Sequence, residues 1–417
     1  MNRFVLALLT PLVCLVPVFG ADWFQFRGPE GNGHADAARL PTEWSTTQNI
    51  RWRTELPGKG WSSPVVSEGK IYVTTAVPGP GKGDYSLRAI CIDAAGGKVL
   101  WDQEVFQEEG KNAPGIHSKN SHASPTPVID GGLLFVHFGH MGTACLNAKD
   151  GSKVWANQSL RYTPVHGNGG SPVLTSDKVI FCIDGIEKQA VVALDRKTGQ
   201  PAWQTPRNAG AKKNFSFCTP LIIKVNDREQ VVAPGSDVVM SLDPADGKEI
   251  WRVKYDGYSV VPKPVYGNGL VYLSSGYDSP VLYAIKPDGK GDVTKTHVAW
   301  TAKRGAPHNP SPLVVGDAVY MNSDSGLLTC LDGATGTERW NERVGGTYSA
   351  SPIFAKGNIY LLAEDGAGLV VKAGPSYELV AKNKMNERAL ASYGVDGDAL
   401  LLRTEKALYR IEKPPAP

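Results

Sequence analysis

The sequence predicts an all-β chain folded as an eight-bladed β-propeller of four-stranded antiparallel blades, closed by an N-terminal strand that completes the last blade. Three observations carry this: a repeated aspartate–glycine–tryptophan phrase, a repeated proline set nine residues before the end of an apolar run, and one orphan strand near the N-terminus. The phrase reads ICIDAAGGKVLW at 90–101, CLNAKDGSKVW at 145–155, ALDRKTGQPAW at 193–203, SLDPADGKEIW at 241–251 and CLDGATGTERW at 330–340. In each copy an Asp or Asn stands eight positions before the Trp (Asp93/Trp101, Asn147/Trp155, Asp195/Trp203, Asp243/Trp251, Asp332/Trp340). Self-similarity at roughly 40 to 50 residues marks a repeat architecture whose units bury their apolar faces on one another.

Each phrase is a hairpin. An alternating run such as VVALD ends at an Asp able to bond its own turn backbone, a Gly supplies the positive φ, and the returning strand carries the Trp. A first hairpin lies upstream, framed by Pro64/Val73, Pro127/Val136, Pro172/Phe181, Pro264/Leu273, Pro312/Met321 and Pro352/Leu361, with turns such as SEGK, IDGG, YGNG and AKGN between. Two hairpins make four short strands, the composition of a propeller blade. Units begin near Ser62, Ser124, Ser171, Thr219, Lys263, Ser311 and Ser351, and an eighth near Ser392 has three strands before the chain ends. NIRWRTEL at 49–56 carries Trp52 without strands of its own, so it supplies the missing outer strand and removes the open sheet edges. Blade five departs most, with the insertion KPDGKGDVTKTHVA before Trp300, and blade seven has AGPSYELV in place of the Trp phrase.

The rest of the chain fits one large domain at 49–413, an arm at 21–48 that packs on the propeller, and a tail at 414–417. The opening MNRFVLALLTPLVCLVPVFG has one Arg, an apolar stretch and a small residue at Gly20, which predicts a secretory signal at 1–20 too short for a membrane span. Val13 before Cys14 argues against a lipid anchor, so the expectation is an exported protein of the periplasm or cell envelope. With 44 basic and 41 acidic residues and no long basic run, nucleic acid is not an expected partner. Cys91, Cys145 and Cys330 occupy one slot of different blades, too far apart to bridge, and read as small core side chains. Cys182 and Cys218 are left open.

The pattern A-x-D-x-x-T-G-x-x-W, clearest at Ala193–Trp203, resembles the tryptophan-docking repeat of the pyrroloquinoline quinone (PQQ) type propellers. That superfamily includes the quinoprotein alcohol dehydrogenases and BamB, an outer-membrane assembly factor. The opening DWFQFRGPEGNG at 22–33 resembles the start of PQQ-like repeat proteins of planctomycete-type bacteria. The dehydrogenase resemblance implies PQQ over an indole, an adjacent-Cys pair above it, and calcium held by Glu, Asn and Asp beside a catalytic Asp. This chain has no adjacent Cys pair, and the calcium ligands do not map residue by residue. Under that resemblance Trp61 is the candidate stacking ring, and Asp278 or Asp324 the candidate base, on position in the blade alone.

Propeller geometry gathers the loops that enter the inner strands at one mouth of the channel. Here those loops and their neighbours carry Trp61, His122, His166, Tyr258, Asp278, Arg304, His308 and Tyr348 as binding candidates. Rings, cations and amides together suit a planar or anionic small molecule; the alternative is that these residues bond one another. The five histidines from His117 to His166 match no metal-ligand spacing, and no stretch matches an EF-hand loop. Asp278 and His308, on adjacent blades, are an acid–base pair or simply turn residues. The expected function is a monomeric ligand-binding or scaffold module of the envelope. A PQQ-dependent oxidoreductase acting on alcohols or sugars, and a BamB-like assembly factor contacting envelope proteins, are the alternatives.

Overall fold

The computed structural model describes residues 22–36, 38–110 and 115–414, so the signal expected at 1–20 and most of the tail lie outside the described residues. Eight antiparallel sheets form the ring, each with its first strand innermost, and the first strands of blades eight and one, one and two, five and six, and six and seven adjoin. Blade one is Val65–Ser67, Lys70–Pro78, Tyr85–Asp93 and Val99–Glu108. The inner strands of blades two to seven are Val128–Asp130, Val173–Leu174, Leu221–Val225, Val265–Gly267, Leu313–Val315 and Ile353–Ala355. Blade eight begins at Gly394–Asp396, and Ile50–Glu55 pairs antiparallel with Ala407–Ile411 as its outer strand. The eight-bladed, N-terminally closed ring read from the repeat is therefore the observed fold.

The repeat residues hold neighbouring blades together. The indole Nε1 of Trp52, Trp155 and Trp203 donates to the carbonyl of Ala94, Arg196 and Pro244 on the following blade, at 2.9, 2.9 and 3.0 Å. The same rings cover the turn glycines of that blade: a Cβ on Gly97, Gly199 or Gly247 would fall 2.7, 2.4 or 2.6 Å from the indole. Glycine is thus required twice in this turn, for its positive φ and for the indole above it. Trp251 is the exception. Its Nε1 donates to Gln230 within its own blade, and the blade-five insertion adds Gly291–Asp292 as a fifth, parallel strand beside it. Blade seven has Ala381 at the Trp position, and the arm brings Trp44 there, between Tyr360 and Tyr393.

A second ring of bonds runs around the channel. At every seam but that between blades four and five, the residue in the slot before the repeat proline donates its N–H to the hydroxyl of the equivalent residue on the next blade: Ser63 to Thr126, Thr126 to Ser171, Ser171 to Thr219, all at 2.9 Å. It continues from Lys263 to Ser311, Ser351, Ser392 and back to Ser63 at 2.8–3.1 Å. Lys263 alone replaces a hydroxyl, at the seam between blades four and five.

Beneath this ring the arm runs through the channel. The carbonyls of Trp23, Phe24 and Gly33 accept N–H bonds from Val66, Ile129 and Phe354 of the inner strands, at 2.9, 2.9 and 2.8 Å. Of the arm expected at 21–48 to pack on the propeller, residues 23–34 lie against the inner strands and close the end where these finish, while Trp44 and Ser45 reach the outer strand of blade seven. The five cysteines described are free and buried, Cys182 and Cys218 included.

Trp155 is 9 % exposed. Its replacement by Ala is expected to cost about 3–5 kcal/mol, read as a lower urea midpoint. Gly199→Ala, which forces a Cβ into the same ring, is expected to destabilise in the same direction; an unchanged midpoint for both would contradict this role for the indole.

Candidate functional site

The loops that lead into the inner strands converge at the other, open mouth. Their rings touch in sequence around it. His117 meets His166 edge to face at 5.8 Å, His166 meets Phe215 at 5.5 Å, and Phe215 meets Tyr258 at 5.6 Å. Tyr258 then meets Tyr277 at 6.1 Å, and Tyr277 meets His308 at 5.3 Å. Six rings from blades two to six thus form one arc. They remain reachable: Tyr277 is 54 % exposed, and His117 and His166 are exposed.

Two polar clusters sit on the arc. Lys213 donates to the Tyr258 hydroxyl, which donates to Asp278, each at 2.7 Å, while the ammonium lies 4.0 Å from the Tyr258 ring centre. The Tyr258 bond, with Lys213 nearby, holds the Asp278 carboxyl below its usual range. In the second cluster, Asp324 accepts the His308 N–H at 2.6 Å, faces His308 Nδ1 at 3.2 Å and accepts from the Asn309 amide. Burial works to raise the Asp324 carboxyl, and the bonds from His308 and Asn309 outweigh it, so it too lies below the usual range. Opposite the arc, Lys119 pairs with Glu364 at 2.7 Å and Arg388 donates to the Ser118 carbonyl at 3.0 Å, tying the blade-two loop to blades seven and eight.

Of the sequence candidates, His166, Tyr258, Asp278 and His308 lie on the arc or its polar clusters. Of the two readings of Asp278 and His308, Asp278 takes its hydrogen bond from Tyr258 with the His308 ring close by, and His308 Nδ1 faces Asp324 of its own blade. Trp61 lies in the wall, 6 % exposed, with Lys59 and Arg388 each 5.7 Å from its ring centre. His122 is buried against Tyr85 with ring centres 4.3 Å apart. Arg304 turns outward to Asn341 and Glu338, and Tyr348 is fully buried in the core of blades six and seven. Lys213, Phe215 and Tyr277, which are not among the sequence candidates, complete the arc and its first cluster. The hydroxyl ring went unread, although a Ser or Thr stands before every repeat proline except Pro264.

The residues present do not assemble the calcium–PQQ set that the dehydrogenase resemblance implies. Asp278 is engaged by the Tyr258 hydroxyl and Lys213, Asp324 by His308 and the Asn309 amide, the cysteines are buried on separate blades, and Trp61 is covered by Arg388. Among the described residues no group of three or more His, Cys, Asp or Glu is placed to hold a metal ion.

Deeper in the mouth, burial keeps two histidines neutral. His122 is pushed down to about 4 and His137 to about 3, mainly by burial, with His140 adding to both. Unfolded imidazoles protonate near ~6.5, so between these values the unfolded chain binds more protons and stability rises with pH. Stability is therefore present above about 6.5 and is lost as pH falls toward about 3. The urea midpoint is expected to fall between pH 7 and 4.5, and the double variant His122→Gln, His137→Gln to flatten that slope. An equal slope in both proteins would contradict the neutral burial.

The comparisons with known proteins agree with this fold. The family model described as outer membrane protein assembly factor BamB matches residues 50–218, 187–322 and 292–374. The chain is 25 % identical over 346 residues to the dehydrogenase subunit of a quinone-type alcohol dehydrogenase from Gluconobacter oxydans. That alignment covers 77 % of this chain but only 38 % of the dehydrogenase subunit, so the chain spans well under half of that relative. It is 23 % identical over 272 residues to BamB of Yersinia pestis, covering 61 % of this chain and 66 % of that protein. The crystal structure of BamB from Moraxella catarrhalis superposes with a TM-score of 0.62 at 14 % identity, over 87 % of this chain and 98 % of that one, a likeness of fold. Through the family match and this shared propeller, the chain belongs to the family of outer membrane protein assembly factor BamB, the PQQ-like propellers.

Proposed function

We propose that the protein is an exported, monomeric propeller of the cell envelope that binds a planar small molecule bearing an anionic group, without transforming it. The observation that carries this is the arc of six rings with the Lys213 ammonium on it. Offset and edge-on aromatic contacts recognise a planar face, and a cation at the rim orients a carboxylate. The apolar signal-like segment at 1–20 supports export, as do relatives named for outer-membrane assembly. A second reading, a BamB-like scaffold that contacts envelope proteins, is favoured by the family match and by the exposed apolar rim of Val99, Leu100 and Val154.

PQQ itself, a planar tricarboxylate, is the probe. Calorimetry is expected to give saturable one-to-one binding that does not require calcium. Phe215→Ala with Tyr258→Ala is expected to weaken it by roughly 5- to 160-fold, from about 0.5–1.5 kcal/mol for each aromatic contact. Absent or unaltered binding would overturn the mouth as the ligand site and leave the scaffold reading, for which co-purification of an envelope complex is the measure. Reduction of an artificial electron acceptor with an alcohol or sugar would instead overturn the non-catalytic part of the proposal and favour a PQQ-dependent oxidoreductase.

A further inference from the structure

The arm motif WFQFRGPEGNG at 23–33 folds on itself at the closed end of the channel. The Trp23 indole lies so close over Gly28 that a Cβ there would fall 2.5 Å from it, and the Gly33 N–H returns to the Arg27 carbonyl at 2.8 Å. This turn presents Arg27. Its φ of +67° is in the left-handed region, which residues other than glycine occupy only when their surroundings impose it.

Arg27 is fully buried and its guanidinium is almost without partners. Nη2 reaches the Pro352 carbonyl at 3.4 Å, and Nε and Nη1 have no hydrogen-bond acceptor. Lys263, the one member of the hydroxyl ring that is not Ser or Thr, enters the same place from the propeller. It is 1 % exposed, and its Nζ has only the Phe26 carbonyl, at 3.5 Å. The glycines bring the arm onto both cations: a Cβ on Gly31 would fall 2.1 Å from Lys263 Nζ, and one on Gly33 2.8 Å from Arg27 Nη2. Among the described residues neither cation forms an ion pair with a carboxylate. The contrast with Arg207 is direct, because that equally buried guanidinium is held by Asp184 through bonds of 2.6 and 2.8 Å.

A buried cation is normally paired or neutralised, and a guanidinium does not give up its proton. We propose that a small inorganic anion of about chloride size binds between Arg27 and Lys263 and locks the arm into the channel. The free N–H groups of Arg27 and the Lys263 ammonium are its donors. Burial, with Arg27 nearby, otherwise pushes the Lys263 ammonium down to about 7, and an anion opposes that shift. The ion is structural and separate from the ligand of the open mouth.

The test is thermal unfolding of the full chain at pH 7 and fixed ionic strength, in sodium bromide against sodium gluconate, whose anion is too bulky to enter. A saturable rise in Tm with bromide is expected. Lys263→Met is expected to abolish it, and the exposed control Lys224→Met to retain it. Crystals grown in bromide are expected to show an anomalous peak between the two cations, a readout that stands even if Lys263→Met does not fold. The proposal is overturned if no such peak appears, or if Tm is indifferent to bromide while Lys263→Met raises it equally in both salts. That last result is the signature of removing an unpaired buried charge.

Discussion

A sheet that ends in water leaves a row of unpaired N–H and C=O groups, and a ring of sheets avoids this only if its last seam closes. Here closure depends on the pairing of Ile50–Glu55 with Ala407–Ile411, which joins the two ends of the propeller within one blade. The same strand carries Trp52, whose indole reaches the Ala94 carbonyl on blade one, so a single segment completes blade eight and makes its contact to the next. Where the seam pattern is interrupted, another segment takes its place. The insertion in blade five pairs beside Trp251, and the arm delivers Trp44 to blade seven.

Threading the arm through the centre gives the molecule its polarity. The inner strands are very short, Val65–Ser67 and Val128–Asp130 for example, and the arm satisfies N–H groups on their channel side. One end of the channel is filled by backbone and by Arg27. The other is lined by rings that touch one another yet stay exposed, with His308 and Asp324 fixed between blade loops. The hydroxyl ring between them ties every seam except the one where Lys263 turns toward the arm. Rigid seams around a plugged channel are what allow long loops to hold six rings in register.

The fold was legible in the sequence because each blade repeats its constraints. In five copies an Asp or Asn to bond the turn, a Gly under an indole and a Trp eight residues on recur together, so their spacing stands out. The mouth was legible only as a region. Which loop residues face one another depends on contacts between blades, and no local pattern encodes that Asp324, not Asp278, engages His308. Tyr348 looked like a mouth residue by position, yet its loop turns it into the core of blades six and seven. The route of the arm was hidden for the same reason: its bonding partners Val66, Ile129 and Phe354 lie far apart in sequence and meet only at the axis. Lys263 was visible as an oddity, but its meaning needed Arg27 beside it.

The central claim is that the arm occupies the channel and leaves one open mouth. Hydrogen–deuterium exchange of the inner-strand segments 64–67, 127–130 and 352–355 tests it most directly. The account predicts that the Val66, Ile129 and Phe354 amides exchange as slowly as those in the middle strands of the same blades. Rapid exchange at these three amides, with the middle strands still protected, would contradict it.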